Sequence, residues 1–230
     1  MLFKYSSYQV ATAIAILFHA IGLVGLLFFD KAFFIAATPM NLLLSFALLL
    51  WTAKEKRPGF YIFLLACFVA GIAVEMMGVH TGWLFGQYKY GKVLGYGIKE
   101  IPLLIGVNWF IVMYCCGTTL TLFFRKLSAG IRFADERKAQ RLRSVSIIID
   151  GATLAVFFDW LMEPVAVKLG YWEWLGNGSV PFYNYICWFV VSVGLLSIFR
   201  FSNFNHHNKF ALNLLLVQAM FFLVLRTFMQ

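Results

Sequence analysis

Apolar runs about as long as a membrane-spanning helix recur along the whole chain. A bilayer core about 30 Å thick requires roughly 20 mostly apolar helical residues, and about seven runs of that length are bounded by charges or turn residues. So many apolar runs exclude a soluble globular fold. The sequence therefore predicts an all-α, polytopic transmembrane helix bundle whose spans lie near 8–29, 33–53, 59–79, 102–124, 144–166, 180–201 and 209–229.

Little of the chain is left over for a soluble domain, so we predict one integral membrane domain over residues 1–230. Hydrophobic residues make up 62% of the chain and charged residues only 13%, well outside the composition of an ordinary soluble domain. Two connections, at 80–101 and 167–179, are longer than the others and rich in glycine and aromatic residues. We expect both to face the same side of the membrane and to form a lid.

The distribution of basic residues predicts the orientation in the membrane. If the N-terminus is cytoplasmic, the inner segments hold 13 Lys and Arg residues and the outer segments hold 6. Because cytoplasmic loops are enriched in basic residues, we place the N-terminus inside, and the C-terminus and both long connections outside. The formal net charge of +9 then reflects orientation and contact with anionic lipids rather than nucleic-acid binding.

Ionisable side chains well inside the predicted spans are few, and each is costly there and commonly functional. Glu75, Asp159 and Glu163 should share the outer third of the bundle, and the last two share a helix face because they are four residues apart. Carboxyl groups at one depth repel unless protons, water or a substrate join them. They form the candidate site, with one as a general acid. For Asp150 and His19 we predict helix packing, with a proton relay as the alternative.

Aromatic and amide side chains are predicted at a similar depth. Asn108 and Trp109 lie on the fourth span, and Asn184 and Trp188 lie on the sixth. The two long connections add further aromatic residues above them. Tyr and Trp at this level anchor a protein in the membrane interface. Their flat faces can also cover an elongated apolar ligand or stabilise a developing carbocation, and both roles are compatible.

Several common membrane chemistries find no support in the sequence. The last predicted span has no internal lysine for a retinal Schiff base, and four histidines are too few for a membrane di-iron centre. No glycine-rich phosphate loop follows a predicted strand. The four cysteines lie in apolar runs without CxxC spacing, so we interpret them as core residues. We expect neither a metal nor another cofactor.

Two clusters of residues form recognisable signatures. The first comprises Glu75, the segment 82–90, Pro102 and Trp109. The second comprises Asp150, Asp159, Glu163, Pro164, the segment 170–174, Pro181, Asn184 and Trp188. Over about residues 70–190 the chain resembles the membrane-integral carotenoid biosynthesis family that contains the CruF-type carotenoid 1,2-hydratases. It departs from that pattern at Glu163, where Asp is usual, and at Cys187, where Gly is frequent.

The resemblance implies a cofactor-independent hydratase that adds water across the terminal 1,2 double bond of an acyclic carotenoid end group, like that of lycopene or γ-carotene. This chemistry needs a proton donor, a shielded tertiary cation and a positioned water. We assign the acid to Asp159 and the orientation of water to Glu163 or Glu75. The predicted substrate-binding residues are Trp172, Trp174, Trp188, Tyr88, Tyr90, Trp109, Asn108, Asn184 and His80. The expected partners are the carotenoid, water and membrane lipids, in the inner membrane of a bacterial-type cell.

Two other functions remain open from the sequence. A carotenoid end-group cyclase also begins by protonating an alkene, but it must keep water away from the cation, so the hydrophilic cluster favours hydration. A proton-coupled transporter or lipid-binding protein would use the carboxyl groups as a relay. Against it, the two halves of the chain show neither an inverted repeat nor a matching pair of broken helices.

Overall fold

The computed structural model describes residues 5–129, 131, 135–176 and 178–229, and most of them are helical. This confirms the predicted all-α helix bundle. The helices are α1 (Ser7–Phe28), α2 (Lys31–Ala36), α3 (Thr38–Thr52), α4 (Pro58–Thr81), α5 (Leu103–Leu127), α6 (Glu136–Lys168), α7 (Phe182–Phe201) and α8 (Lys209–Phe228). The strands are short, namely β1 (Tyr88–Tyr90), β2 (Gly97–Ile98), β3 (Ile101–Pro102) and β4 (Trp172–Trp174).

Six of the helices, α1 and α4 to α8, are long and apolar enough to cross a membrane. The predicted second span differs, because the chain breaks at Ala37 between α2 and α3. Pro39, in the first turn of α3, has no N–H to donate to the carbonyl four residues earlier, and its ring would collide with that carbonyl. The 15-residue α3 is therefore about 22 Å long, shorter than the bilayer core.

Even so, α3 connects the two ends of the bundle. Near its start, the Thr38 hydroxyl lies 2.7 Å from the Tyr171 hydroxyl, which follows α6. At its end, the Thr52 hydroxyl accepts a hydrogen bond of 3.0 Å from Asn208, which caps the start of α8. The chain therefore still passes from one end to the other between α1 and α4.

Helix α5 occupies the centre of the bundle. Its segment from Trp109 to Thr118 is buried throughout, whereas α1, α4 and α8 are buried on one side only. Many large apolar side chains are exposed on the other helices, such as Leu65 on α4 and Val190 on α7. Such a surface suits lipid rather than water. The polar candidate residues meet beside the N-terminal part of α5, at Asn108 and Trp109.

The two long connections are joined by a small antiparallel sheet, which the sequence did not predict. Strand β1 pairs with β4 so that Tyr88 lies opposite Trp174 and Tyr90 lies opposite Trp172. Because side chains alternate along a strand, the aromatic residues face the bundle while the central pair faces outward. That outward pair, Lys89 and Glu173, forms an ion pair of 2.5 Å with both side chains more than half exposed, so it adds little stability.

Glycine permits the close approach at the end of this sheet. The Gly91 N–H donates to the Tyr171 carbonyl over 2.8 Å. A Cβ at residue 91 would lie 2.1 Å from the carbonyl oxygen of Gly170, a distance that no side chain tolerates. The backbone of the first connection can therefore lie directly against that of the second.

Strands β2 and β3 form a tight hairpin whose two turn residues both have positive φ. Lys99 has φ 47° and Glu100 has φ 66°, and Ile98 pairs with Ile101. A two-residue turn of this kind favours Asn and Gly, because other side chains are strained in the left-handed region.

We expect Glu100→Gly to stabilise the protein by about 1 kcal/mol, because glycine removes the strain of positive φ. The matched control is Glu100→Ala, which removes the same exposed carboxylate but keeps the strain, and it should leave stability nearly unchanged. Thermal unfolding in detergent micelles, followed by circular dichroism, measures the difference. Equal apparent Tm values for the two variants would contradict the strain argument.

Candidate active site

Three buried carboxyl groups from two helices line one small cavity at the end of the bundle where α4 and α6 end. Glu75 comes from α4, and Asp159 and Glu163 come from α6, with exposed fractions of 6% or less. The cavity has a volume of about 30 Å³, enough for a water molecule. The structure therefore brings together the three carboxyl groups that the sequence singled out.

Glu75 accepts hydrogen bonds from three aromatic side chains. The Tyr88 and Tyr90 hydroxyls donate to its Oε2 atom over 2.5 Å and 2.7 Å, and the Trp109 indole N–H donates to Oε1 over 3.1 Å. Burial, followed by the nearby Glu75 charge, raises the pKa of both phenols above their usual range. Both tyrosines therefore remain protonated donors, and hydrogen bonds of this kind favour the ionised form of the carboxyl group that accepts them.

Two glycines on α4 make room for these donors. Gly71 and Gly78 lie one turn before and one turn after Glu75, on the same face of the helix. A Cβ at residue 71 would lie 2.6 Å from the Trp109 ring, and a Cβ at residue 78 would lie 2.5 Å from the Tyr88 hydroxyl oxygen. The small residues on this face therefore allow Trp109 and Tyr88 to approach the carboxylate.

Glu163 is held on one side only. The indole N–H groups of Trp172 and Trp174 donate to its Oε2 atom over 3.1 Å and 3.0 Å. Its Oε1 atom makes no hydrogen bond with the described residues. One oxygen of this carboxylate is thus fixed by β4, and the other is available to a ligand or to water.

Asp159 has the poorest hydrogen bonding of the three. Its Oδ2 atom accepts a bond of 2.9 Å from the Asn184 amide. Its Oδ1 atom is fully buried and has no partner within the described part of the chain. A buried charged oxygen without a donor is costly, whereas a protonated carboxyl group can itself donate. This geometry favours Asp159 as the carboxylic acid of the cluster.

Aromatic faces and one free amide complete the wall of the cavity. The Trp109 and Trp188 rings stack with centroids 4.2 Å apart and an interplanar angle of 15°, and both line the cavity. The Asn108 side chain also lines it and makes no hydrogen bond with the residues described. An unpaired amide beside a space of this size can hold a water molecule.

A second, much larger cavity adjoins the first. It has a volume of about 490 Å³ and is bordered mainly by apolar side chains of α1, α3, α6 and α8. Four residues belong to the walls of both cavities, namely Ile105, Asn108, Met162 and Trp172. The site therefore consists of a small polar chamber beside a long apolar space, the combination expected for an apolar substrate with one reacting end.

Three predicted site residues lie elsewhere. His80 is exposed in the last turn of α4, where its Nε2 atom lies 3.1 Å from the Lys99 carbonyl. Asp150 is exposed on α6, nine residues before Asp159 in the sequence. Neither His80 nor Asp150 lines a described cavity. His19 is buried on α1, with Nδ1 2.8 Å from the Ala15 carbonyl, and lines the large cavity rather than the chamber.

Several wall residues escaped the sequence analysis because they are ordinary apolar or polar side chains without a signature. Phe85, Ile105 and Met162 line the chamber. Tyr171 and Gln218 line the large cavity. The buried Gln218 in an apolar run was the one available signal, since an amide in the middle of a span is unusual. Within the described residues, no three His, Cys, Asp or Glu side chains are grouped as metal ligands would be.

The fold and the site define an integral membrane protein with a carboxylate chamber beneath a cover of aromatic residues. The sequence profile of the family described as "Carotenoid biosynthesis protein" matches residues 33–230. The chain belongs to this family, which confirms the resemblance inferred from its motifs. It has 27% identity over 150 residues to the bisanhydrobacterioruberin hydratase of Haloarcula japonica, an alignment that covers 64% of this chain and 46% of that relative. The chain thus spans about half of the relative's length, and no solved structure matches it.

We predict that Gly78→Ala destabilises the protein by about 1–3 kcal/mol, because the added methyl group displaces the Tyr88 hydroxyl and leaves Glu75 short of a donor. Gly194→Ala on α7 is the matched control, since a Cβ there meets no atom within 4 Å. Its effect should be neutral or stabilising. Thermal unfolding in micelles measures both, and an unchanged apparent Tm for Gly78→Ala would contradict the assigned packing.

Proposed function

We propose that the protein is a carotenoid hydratase that adds water across the terminal 1,2 double bond of an acyclic end group. The observation that carries the proposal is the unpartnered Oδ1 atom of Asp159 in a chamber beside a large apolar cavity. The family membership and the hydratase among its relatives support the same reaction class.

Asp159 serves as the acid. In its protonated form it transfers the proton to the less substituted carbon of the terminal alkene, so that a tertiary cation develops on the neighbouring carbon. The Asn184 amide holds the other oxygen and so fixes the direction of the transfer. Met162, one turn further along α6, separates the chamber from the large cavity, and its flexible side chain lets the end group reach Asp159.

The chamber can stabilise the cation before water captures it. The stacked rings of Trp109 and Trp188 present aromatic faces, which attract a cation electrostatically. The ionised Glu75, held by three donors, adds a fixed negative charge nearby. The Tyr88, Trp172 and Trp174 side chains also line the wall, although their polar atoms point at the carboxylates rather than at a substrate.

Water capture completes the reaction. A water molecule held by Asn108 and by the free Oε1 atom of Glu163 attacks the cation and forms the new C–O bond. Glu163 accepts the proton that this water loses, and the proton returns to Asp159, one helical turn away, before the next cycle. The net change is addition of one water molecule to the alkene to give a tertiary alcohol, without a cofactor.

The orientation and location are part of the same proposal. Exposed basic residues, among them Arg137 and Lys138, cluster at the start of α6, which agrees with a cytoplasmic inner end and a chamber near the outer face. We place the protein in the inner membrane of a bacterial-type cell.

The alternative within the family is an end-group cyclase, which would begin with the same protonation. The unpaired Asn108 amide and the free oxygen of Glu163 favour hydration, because both offer a water site next to the cation. A transporter or lipid-binding protein is a further alternative, in which the carboxyl groups would relay protons. The three hydrogen bonds that hold Glu75 argue against it, since a proton path through this carboxylate would need it to exchange partners.

We predict that Asp159→Asn lowers the rate of hydration by about 10²–10⁴-fold, the usual contribution of a general acid. The amide is nearly the same size, so the substrate should still bind. Asp150→Asn is the matched control, because that carboxylate is exposed on the same helix, and it should keep the activity of the unmodified protein. Near-normal turnover by Asp159→Asn would refute the assignment of the acid.

The reaction itself is tested by expression in a host that accumulates lycopene or γ-carotene, with the pigments analysed by mass spectrometry. A gain of one water supports the hydratase. Unchanged mass with altered absorption would indicate a cyclase, and unchanged pigment would contradict both enzymes and favour transport or binding.

A further inference from the structure

The wall of the large cavity changes from exposed to buried along its length. At one end, Phe18 and Ile21 of α1 are 48% and 49% exposed, and Phe33 of α2 and Met40 of α3 are 64% and 70% exposed. At the other end, where the cavity meets the chamber, Met162 is 5% exposed and the nearby Phe158 is 3% exposed. The cavity therefore has an open rim between α1 and α3 and a closed end at α6.

The chamber is closed toward the outer aqueous side. Strands β1 and β4 lie over it, and their inward side chains Tyr88, Trp172 and Trp174 are at most 9% exposed. Phe85, in the same cover, is 2% exposed. Hydrogen bonds to Glu75 and Glu163 hold this cover in place. A long substrate would have to break these bonds to enter from the water.

The rim, by contrast, lies on the lipid-facing surface of the bundle. All four rim residues are large and apolar, and they belong to α1 and to the broken pair of α2 and α3. Because α3 begins only after the break at Ala37, the outer part of this wall consists of the six-residue α2 rather than a continuous helix. The exposed rim residues Phe33 and Met40 lie on either side of this break.

We propose that the acyclic polyene substrate enters sideways from the bilayer through the opening between α1 and α3, reacting end first. Its end group reaches the carboxylates past Asn108 and Met162, and the rest of the polyene lies in the large cavity and extends through the rim into lipid. An apolar substrate is concentrated in the bilayer, so this route requires no transfer through water. The inference rests on the proposed function for the identity of the substrate.

A groove on the other side of α1 is the competing route. It lies between α1 and α8, has a volume of about 310 Å³, and includes Ile16 and Met220 in its wall. His19 and Phe221 border both the groove and the large cavity, with ring centroids 5.5 Å apart in an edge-to-face arrangement. The two rings thus form a wall between the groove and the large cavity, and the contact of His19 with the Ala15 carbonyl holds this wall in place. The groove is therefore separated from the chamber.

The test uses matched tryptophan substitutions on the two sides of α1. Ile21→Trp and Met40→Trp place bulk at the rim, whereas Ile16→Trp and Met220→Trp place the same bulk in the groove. Each rim position has a groove position with the same original residue and a similar exposure, so Ile21 is matched by Ile16 and Met40 by Met220. All four are made in Asp159→Asn protein, so that binding is measured without turnover. The protein is reconstituted in vesicles, and uptake of lycopene from donor vesicles is followed through the change in its absorption.

We expect the rim variants to slow lycopene uptake by at least about tenfold and the groove variants to change it less than about twofold, since a blocked path acts on the association rate. Slower uptake in the groove variants with normal uptake in the rim variants would overturn the proposal, as would no effect of any variant. The apparent Tm of each variant shows whether it folds normally. If one rim variant or one groove variant is misfolded, the other variant at the same location decides the result.

The entry route and the proposed hydration can fail separately in these experiments. If the otherwise unmodified protein makes no hydrated product but the rim variants still slow lycopene uptake, the proposed function fails and the entry route stands. If hydration occurs and the rim variants bind lycopene at the normal rate, the function stands and the entry route fails.

Discussion

The structure depends on satisfying three carboxyl groups inside an apolar bundle. Neither lipid nor the packed interior supplies water to them, so each charged oxygen needs a donor from the protein. Glu75 and Glu163 together receive five such bonds, all from aromatic hydroxyl or indole groups. Four of those donors come from the β1–β4 sheet, which explains why two separate connections are joined over the chamber. Gly71 and Gly78 serve the same need, because they leave room for the Trp109 and Tyr88 donors beside Glu75.

The uneven distribution of these donors distinguishes the carboxyl groups. Glu75 accepts hydrogen bonds at both oxygens, Glu163 keeps one oxygen free, and Asp159 keeps one buried oxygen without a partner among the described residues. In the proposed reaction these three carboxyl groups act as a fixed charge, a base and an acid respectively. The two cavities also differ, because the chamber has room for a water molecule and the adjoining cavity is about 490 Å³ and mainly apolar.

The bilayer acts as more than a solvent for this fold. The same lipid that excludes water from the helices would also hold the proposed apolar substrate, and the interrupted second span borders the large cavity on that side. Pro39 lies at the interruption between α2 and α3, next to the exposed rim residue Met40. The effect of Pro39 on helix continuity is therefore linked to the proposed access route.

The sequence alone determined the class of fold, the depth of the three carboxyl groups and the family. Span length, the cost of a buried charge and the spacing of Asp159 and Glu163 are local properties, so they could be derived from residues along the chain. Only the tertiary structure decided which donor serves which carboxylate. The pairing of Tyr88 with Trp174 joins segments more than 80 residues apart, and no local pattern encodes that register. The same holds for His80 and Asp150, because their exposure depends on which helix faces are covered by neighbours.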